Sequence, residues 1–238
     1  MIADLFRLAC RSTGIPLLAA LLLPGLAHAA DDIPWIWHSS NAPAQATEVA
    51  VLLDHLVLSG NDIQIRPRRR MMVVGKVTRV TAVVHVQTDV HHPPTLGPRQ
   101  SQAIIAAVIA ASRQSTSGWV QLDFEALQSQ RTFYLALVVA LRRQIPPNIK
   151  LSVTVLASWC QQAGLLAQIE ADEVVPMFFH MGAATDDYRA RLLQNTERLD
   201  PRCRNQAAGF AVQEAPPMSV QQRYTRRYWF NFKNWDVN

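Results

Sequence analysis

The chain has 238 residues, 49% of them hydrophobic and 17% charged, with a formal net charge of +5. This balance excludes a disordered or low-complexity protein and suits one domain with a real core. The charge is only mildly basic, and no basic helix accompanies it, so a nucleic-acid partner is not expected.

In chain order, the first 29 residues read as a secretory leader. Arg7 and Arg11 form a basic start, residues 14–26 an apolar core, and Ala27-His28-Ala29 a small-residue cleavage site. The apolar core is too short to span a membrane, and no later stretch is long and apolar enough to do so. Cys10 lies ahead of that core, within the segment to be removed. Residues 30–238 are then one exported domain, periplasmic or secreted.

Residues 31–40 read as a short apolar strand. Residues 44–61 have helical apolar spacing and end at Gly60-Asn61, a plausible C-cap. Residues 63–74 form a small excursion around the basic run Arg66–Arg70, taken as a solvated loop. Residues 79–89 are rich in β-branched side chains and predict a strand. A helix follows over 99–115, then the stretch "GWVQLDFEALQSQRTFY" at 118–134 opens as a strand.

A helix over 131–144 stops at Pro146-Pro147. Residues 149–160 predict a strand, 161–171 a helix, 173–182 a strand and 186–199 a helix. Further strands are expected at 207–214 and 226–235. Cys160 and Cys203 survive leader removal, and an even cysteine count in an exported chain predicts a disulfide between them. No His or Cys stands at zinc-ligand spacing from either, and no glycine-rich phosphate loop is present, so neither metal nor cofactor is expected.

Strands alternating with helices imply a parallel sheet with right-handed crossovers. A dinucleotide-binding open sheet would normally carry a GxGxxG turn after its first strand, which is lacking. The expected fold is therefore α/β, a (β/α) TIM-type barrel that is compact or incomplete at seven strands. The strand patterns agree. Val80, Ala82, Val84 and Val86 oppose Thr81, His85, Gln87 and Asp89. Val120, Leu122 and Phe124 oppose Gln121, Asp123 and Glu125, and Val153, Val155 and Ala157 oppose Ser152, Thr154 and Ser158. Each apolar face would meet the helices, and each polar face would line a solvated lumen.

Catalytic residues of such barrels sit at strand C-terminal ends. Asp123 and Glu125 fall there, with Cα atoms about 6.5–7 Å apart if both lie on one strand. Two carboxylates so close perturb each other, which can keep one protonated as a general acid while the other stays ionised. Glycoside hydrolysis uses such pairs. The competing reading makes them helix caps or partners of an arginine such as Arg131. Among the strand-end tryptophans, Trp35 and Trp37 are assigned to the core and Trp159 to sugar stacking. Trp229 also lies in a strand. His38, His85 and His180 read as polar rim residues.

The motifs VQLDFEA with RTFY after it, LSVTVLASWC and VPMFFHMG together resemble a family of exported bacterial proteins of unknown function with a glycosidase-like barrel outline. The resemblance spans roughly residues 35–235. Asp123 and Glu125 also resemble the last two acids of the strand-end signature of chitinase-type family-18 glycosidases. That likeness implies a proton-donating Glu125 and an Asp123 that orients the substrate's acetamido group. Gln121 stands where the signature has an earlier Asp. The strand count puts the pair on the third strand, not the fourth, unless residues 63–74 hide one.

The expectation is an exported protein that binds a polysaccharide and hydrolyses it with Asp123 and Glu125. Gln121, Asp89, His85, Trp159 and His180 would bind substrate. The alternative is a non-catalytic binding or envelope-interaction protein on a degenerate barrel.

Overall fold

The computed structural model describes residues 31–37, 42–69, 73, 75, 78–162, 164–182 and 185–231. The leader, His38 and residues 232–235 of the last predicted strand lie outside the described residues.

Eight parallel strands close into a barrel. They are β1 (Asp31–Ile36), β2 (Glu48–Ser59), β4 (Arg79–Thr88), β5 (Trp119–Phe124), β6 (Lys150–Leu156), β7 (Glu173–Met177), β8 (Ala207–Ala211) and β9 (Arg226–Phe230). β1 closes the ring, pairing with β9 from Asp31↔Arg226 to Pro34↔Trp229 and with β2 at Trp35↔Ala50 and Ile36↔Val51. A further strand, β3 (Asp62–Pro67), turns back antiparallel on the upper half of β2. The turn between them uses Gly60 in the left-handed region, φ 52°, where glycine carries no Cβ penalty.

β2 corrects the helix expected at 44–61. Its lower half is buried on both faces, so it reads as a continuous apolar run whose spacing mimics a helix. The excursion at 63–74 does contain a strand, but β3 lies outside the ring. It is β2 that raises the count and makes β5, which carries Asp123 and ends just before Glu125, the fourth strand of the barrel.

α1 (Pro98–Ser112) joins β4 to β5, and α2 (Arg131–Gln144) joins β5 to β6. α3 (Thr185–Gln194) and the single turn α4 (Met218–Gln221) follow β7 and β8. The helix expected at 161–171 is replaced by short 3-10 turns, including Leu166–Gln168. The strand expected to run to Cys160 ends at Leu156, where Ala157–Gln161 coils into another such turn. Trading helices for turns lets a short chain close a full barrel. Among the described residues no helix is long and apolar enough to cross a membrane.

The predicted strand faces hold. Ala82, Val84, Val86, Val120, Leu122, Phe124, Val153 and Val155 pack in one cluster with Ile104, Val108, Leu137, Val138 and Leu141 of α1 and α2. Each side chain as fully buried as Leu122 or Phe124 contributes roughly 1.5–3 kcal/mol. A smaller cluster, including Ile33, Trp35, Val83, Val175, Met177 and Tyr228, fills the lumen. The disulfide joins Cys160, in the turn after β6, to Cys203 in a turn before β8, with Cα atoms 5.9 Å apart.

The expected solvated lumen is only partly so. Its lower part is plugged by a hydrogen-bonded polar layer. Arg226 bonds Glu48 and Glu173 at 2.9 Å each, Thr81 donates to Glu48 at 2.7 Å, and Tyr228 donates to Glu173 at 2.8 Å. Burying these charges is tolerable because each is paired and bonded. The C-terminal mouth stays open.

Candidate active site

The mouth is assembled by strand register. His55 on β2 pairs with His85 on β4, and His85 pairs with Asp123 on β5. Three consecutive strands thus bring three polar side chains to one level. Thr154 on β6 completes the row by donating its hydroxyl to Asp123 Oδ1 at 2.8 Å. His85 Nδ1 lies 2.9 Å from Asp123 Oδ2. A carboxylate only accepts, so this contact puts the imidazole proton on Nδ1. Both oxygens of Asp123 are therefore engaged, and the residue is 5% exposed. From outside the ring, Tyr134 of α2 donates to the Thr154 carbonyl at 2.7 Å and steadies β6.

Glu125 follows the last residue of β5, where the chain turns and Ala126 N–H bonds the Phe124 carbonyl at 2.7 Å. Its side chain borders a cavity of about 450 Å³ with Trp35, Trp37, His85, Asp123 and Phe179. A second cavity of about 370 Å³ lies against Leu156, Ser158, Phe179 and Met181. Glu125, Met177, Phe179 and His180 border both.

The cavity walls are unlike. The side formed by β1, β7 and β9 is aromatic. Trp37 meets Phe230 edge-on at 5.8 Å, Phe230 stacks on Phe179 at 5.8 Å, and Trp35 stacks on Tyr228 at 5.2 Å. The side formed by β4, β5 and the turn after β5 is polar, with His85, Gln87, Asp123 and Glu125. Trp37 also closes edge-on against His85 at 4.5 Å.

The electrostatics of the mouth act on Glu125. Although solvent reaches Glu125, the surrounding walls desolvate its carboxyl and raise its pKa. The negative charge of Asp123 raises it further, against weaker opposition from His85 and His180. His55 is pushed down to about 4, first by burial and then by the neighbouring His85, while a bond to Gln87 at 3.0 Å acts in the other direction.

The structure gathers Asp123, Glu125, His85 and His180 at the mouth. His180 takes a left-handed backbone, φ 50°, uncommon outside glycine, and its N–H bonds Glu214 at 3.3 Å. Gln121 lies below the cavity, fully buried, bonded to Trp35 and Ser152. Asp89 turns to the loop after β4, accepting from Ser59, His91 N–H and His92 N–H. Those bonds, the His91 backbone bond foremost, pull its carboxyl down to about 2.

Trp159 is not a rim residue. It is 1% exposed in the helix-side core, edge-on to Tyr134 at 5.4 Å. The strand that would have carried it to the rim ends three residues earlier. Trp229 faces outward from the barrel and donates to Asp32 at 2.6 Å. Trp35, assigned to the core, is buried in the lumen cluster with Trp37 packed against it, and both rings also line the cavity. Their signal was the W-x-W spacing at a strand end, which puts both rings on one face. His55 was hidden by the misread β2.

The chain matches no protein-family model and no curated protein. It is similar to the solved structure of the spore cortex-lytic enzyme SleL from Bacillus cereus, at 13% identity and a TM-score of 0.48. The match covers 78% of this chain and 51% of that one, so the chain spans about half the length of that structure.

Proposed function

We propose that this chain is an exported glycan-binding protein that hydrolyses a glycosidic bond, with Glu125 as acid and then base. The observation that carries this reading is the unequal pair at the mouth. Glu125 has a raised pKa and borders both cavities, beside an Asp123 locked by His85 and Thr154. A carboxyl with a raised pKa beside a second, hydrogen-bonded carboxyl suits paired-carboxylate chemistry.

In this reading one sugar occupies the larger cavity, its apolar face on Trp35 or Trp37. The leaving portion extends toward the second cavity. Glu125 gives its proton to the glycosidic oxygen as the C1–O bond breaks. Asp123 stabilises the positive charge developing at C1, or orients a substrate group that does so. Water then adds at C1 and returns its proton to Glu125. The position of the pair on the fourth barrel strand removes the mismatch with the family-18 likeness. The leader-like residues 1–29 and the Cys160–Cys203 disulfide support export.

A second reading has its own observation. At 121 a neutral amide, engaged by Trp35 and Ser152, stands in place of the signature's earlier acid. This favours a barrel that binds glycan without cleaving it. Titration of wild type and Glu125→Gln with a panel of soluble polysaccharides separates the two. Hydrolysis by wild type, lost in the variant while binding persists, supports the enzyme. Binding without cleavage by wild type supports the second reading, and absence of both rejects the glycan assignment.

A further inference from the structure

Resting on the glycan reading of the larger cavity, we infer that Gln121 is a positioning residue that fixes the Trp35 ring as the cavity floor. A chain of hydrogen bonds begins at the base of the barrel, far from the mouth. Glu173 accepts from Arg226 Nε at 2.9 Å, from Tyr228 O–H at 2.8 Å and from Ser152 Oγ–H at 2.7 Å. Ser152 has one proton, and Glu173 takes it, leaving only lone pairs toward Gln121. Gln121 must therefore present its NH₂ to Ser152, at 3.1 Å. Its carbonyl then points the other way and receives the indole N–H of Trp35 at 2.7 Å. An indole can only donate, so every bond in the chain runs in one direction, from Trp35 to Glu173.

Gln121 and Ser152 are each 0% exposed and Glu173 is 4% exposed, so no water competes. The ring is held on its other sides too. Tyr228 stacks on it at 5.2 Å, and Phe179 meets it edge-on at 6.2 Å. Its far edge lies against the backbone of β8 at Gly209, where a Cβ would come within 2.9 Å of Cη2. Trp35 is thus set from beneath, without Gln121 touching the ligand. A carboxylate at 121 could not do this, because Ser152 cannot donate to it and to Glu173 together. The departure from the signature at 121 is then a substitution that exchanges a charge for a fixed aromatic floor.

The test uses the mature protein carrying Gln121→Met, which keeps length but removes donor and acceptor, with Ser152→Ala as the gentler variant. Two quantities are read: the ¹H–¹⁵N indole signal of Trp35, assigned through Trp35→Phe, and binding of a polysaccharide that wild type binds. Both variants should shift the Trp35 indole signal. Gln121→Met should raise KM or Kd about tenfold, the scale of one buried hydrogen bond, with kcat within about twofold. An unmoved indole signal overturns the inference whichever variant folds, and so does a moved signal with wild-type glycan affinity. If wild type binds no glycan, the functional reading fails separately, and the indole signal alone decides whether Gln121 positions Trp35.

Discussion

Glu125 and Asp123 stand two residues apart yet meet different surroundings. Asp123 is enclosed and bonded on both oxygens. Glu125 borders the cavity with desolvating walls and a negative neighbour. Sequence spacing brought the pair to notice, but only the register with His85 and Thr154 distinguishes their surroundings. His55 gives a stability prediction at the same scale. Its folded pKa, about 4, lies below the ordinary 6.5. Between these values the unfolded chain binds the proton more readily, so stability falls as pH drops through 6.5 toward 4. Thermal midpoints at pH 7 and pH 5 should lie closer together in His55→Gln than in wild type. An equal gap in the two proteins would remove His55 from the acid sensitivity.

Elements were legible where one physical signal ruled. α2 was read with its observed bounds because its apolar stripe runs into Pro146, which cannot continue a helix. β4 and β5 were read from alternation, and their faces followed. β2 was not, because burial on both faces erases alternation, and its loss concealed His55 and the fourth-strand position of the acids. The turns after β6 were missed for another reason. Tertiary packing and the disulfide bear on where that strand ends, and local pattern does not record either. The bridge itself should matter to stability. Its cysteines are 43 residues apart, and in the chain-entropy model opening such a loop costs about 4 kcal/mol. Chemical denaturation of Cys160→Ser/Cys203→Ser should show a loss of that order. A midpoint equal to that of the oxidised wild type would mean that the native packing alone holds β6 and the approach to β8 together.

The whole molecule divides along the barrel axis. The base is a closed polar plug of Glu48, Glu173, Arg226 and Tyr228, and the mouth is an open pocket with one aromatic and one polar wall. The barrel could be inferred from alternating elements and from polar inner faces. What those faces do could not. Thr81 and Ser152 bond the glutamates of the plug, while His85, Asp123 and Thr154 meet at the upper level, a distinction set by depth along the strand. Gln121 and Asp123 differ by one such level, so one supports Trp35 while the other meets the cavity. The central claim concerns that upper level, and the rate of reducing-end release against pH tests it most directly. With a polysaccharide that the protein binds, the wild-type rate should fall as pH rises through the raised pKa of Glu125, where its acid form is lost. Glu125→Gln should be slower by roughly 10²–10⁴-fold and lack that limb. Hydrolysis by Glu125→Gln at the wild-type rate, with the same pH profile, would contradict it.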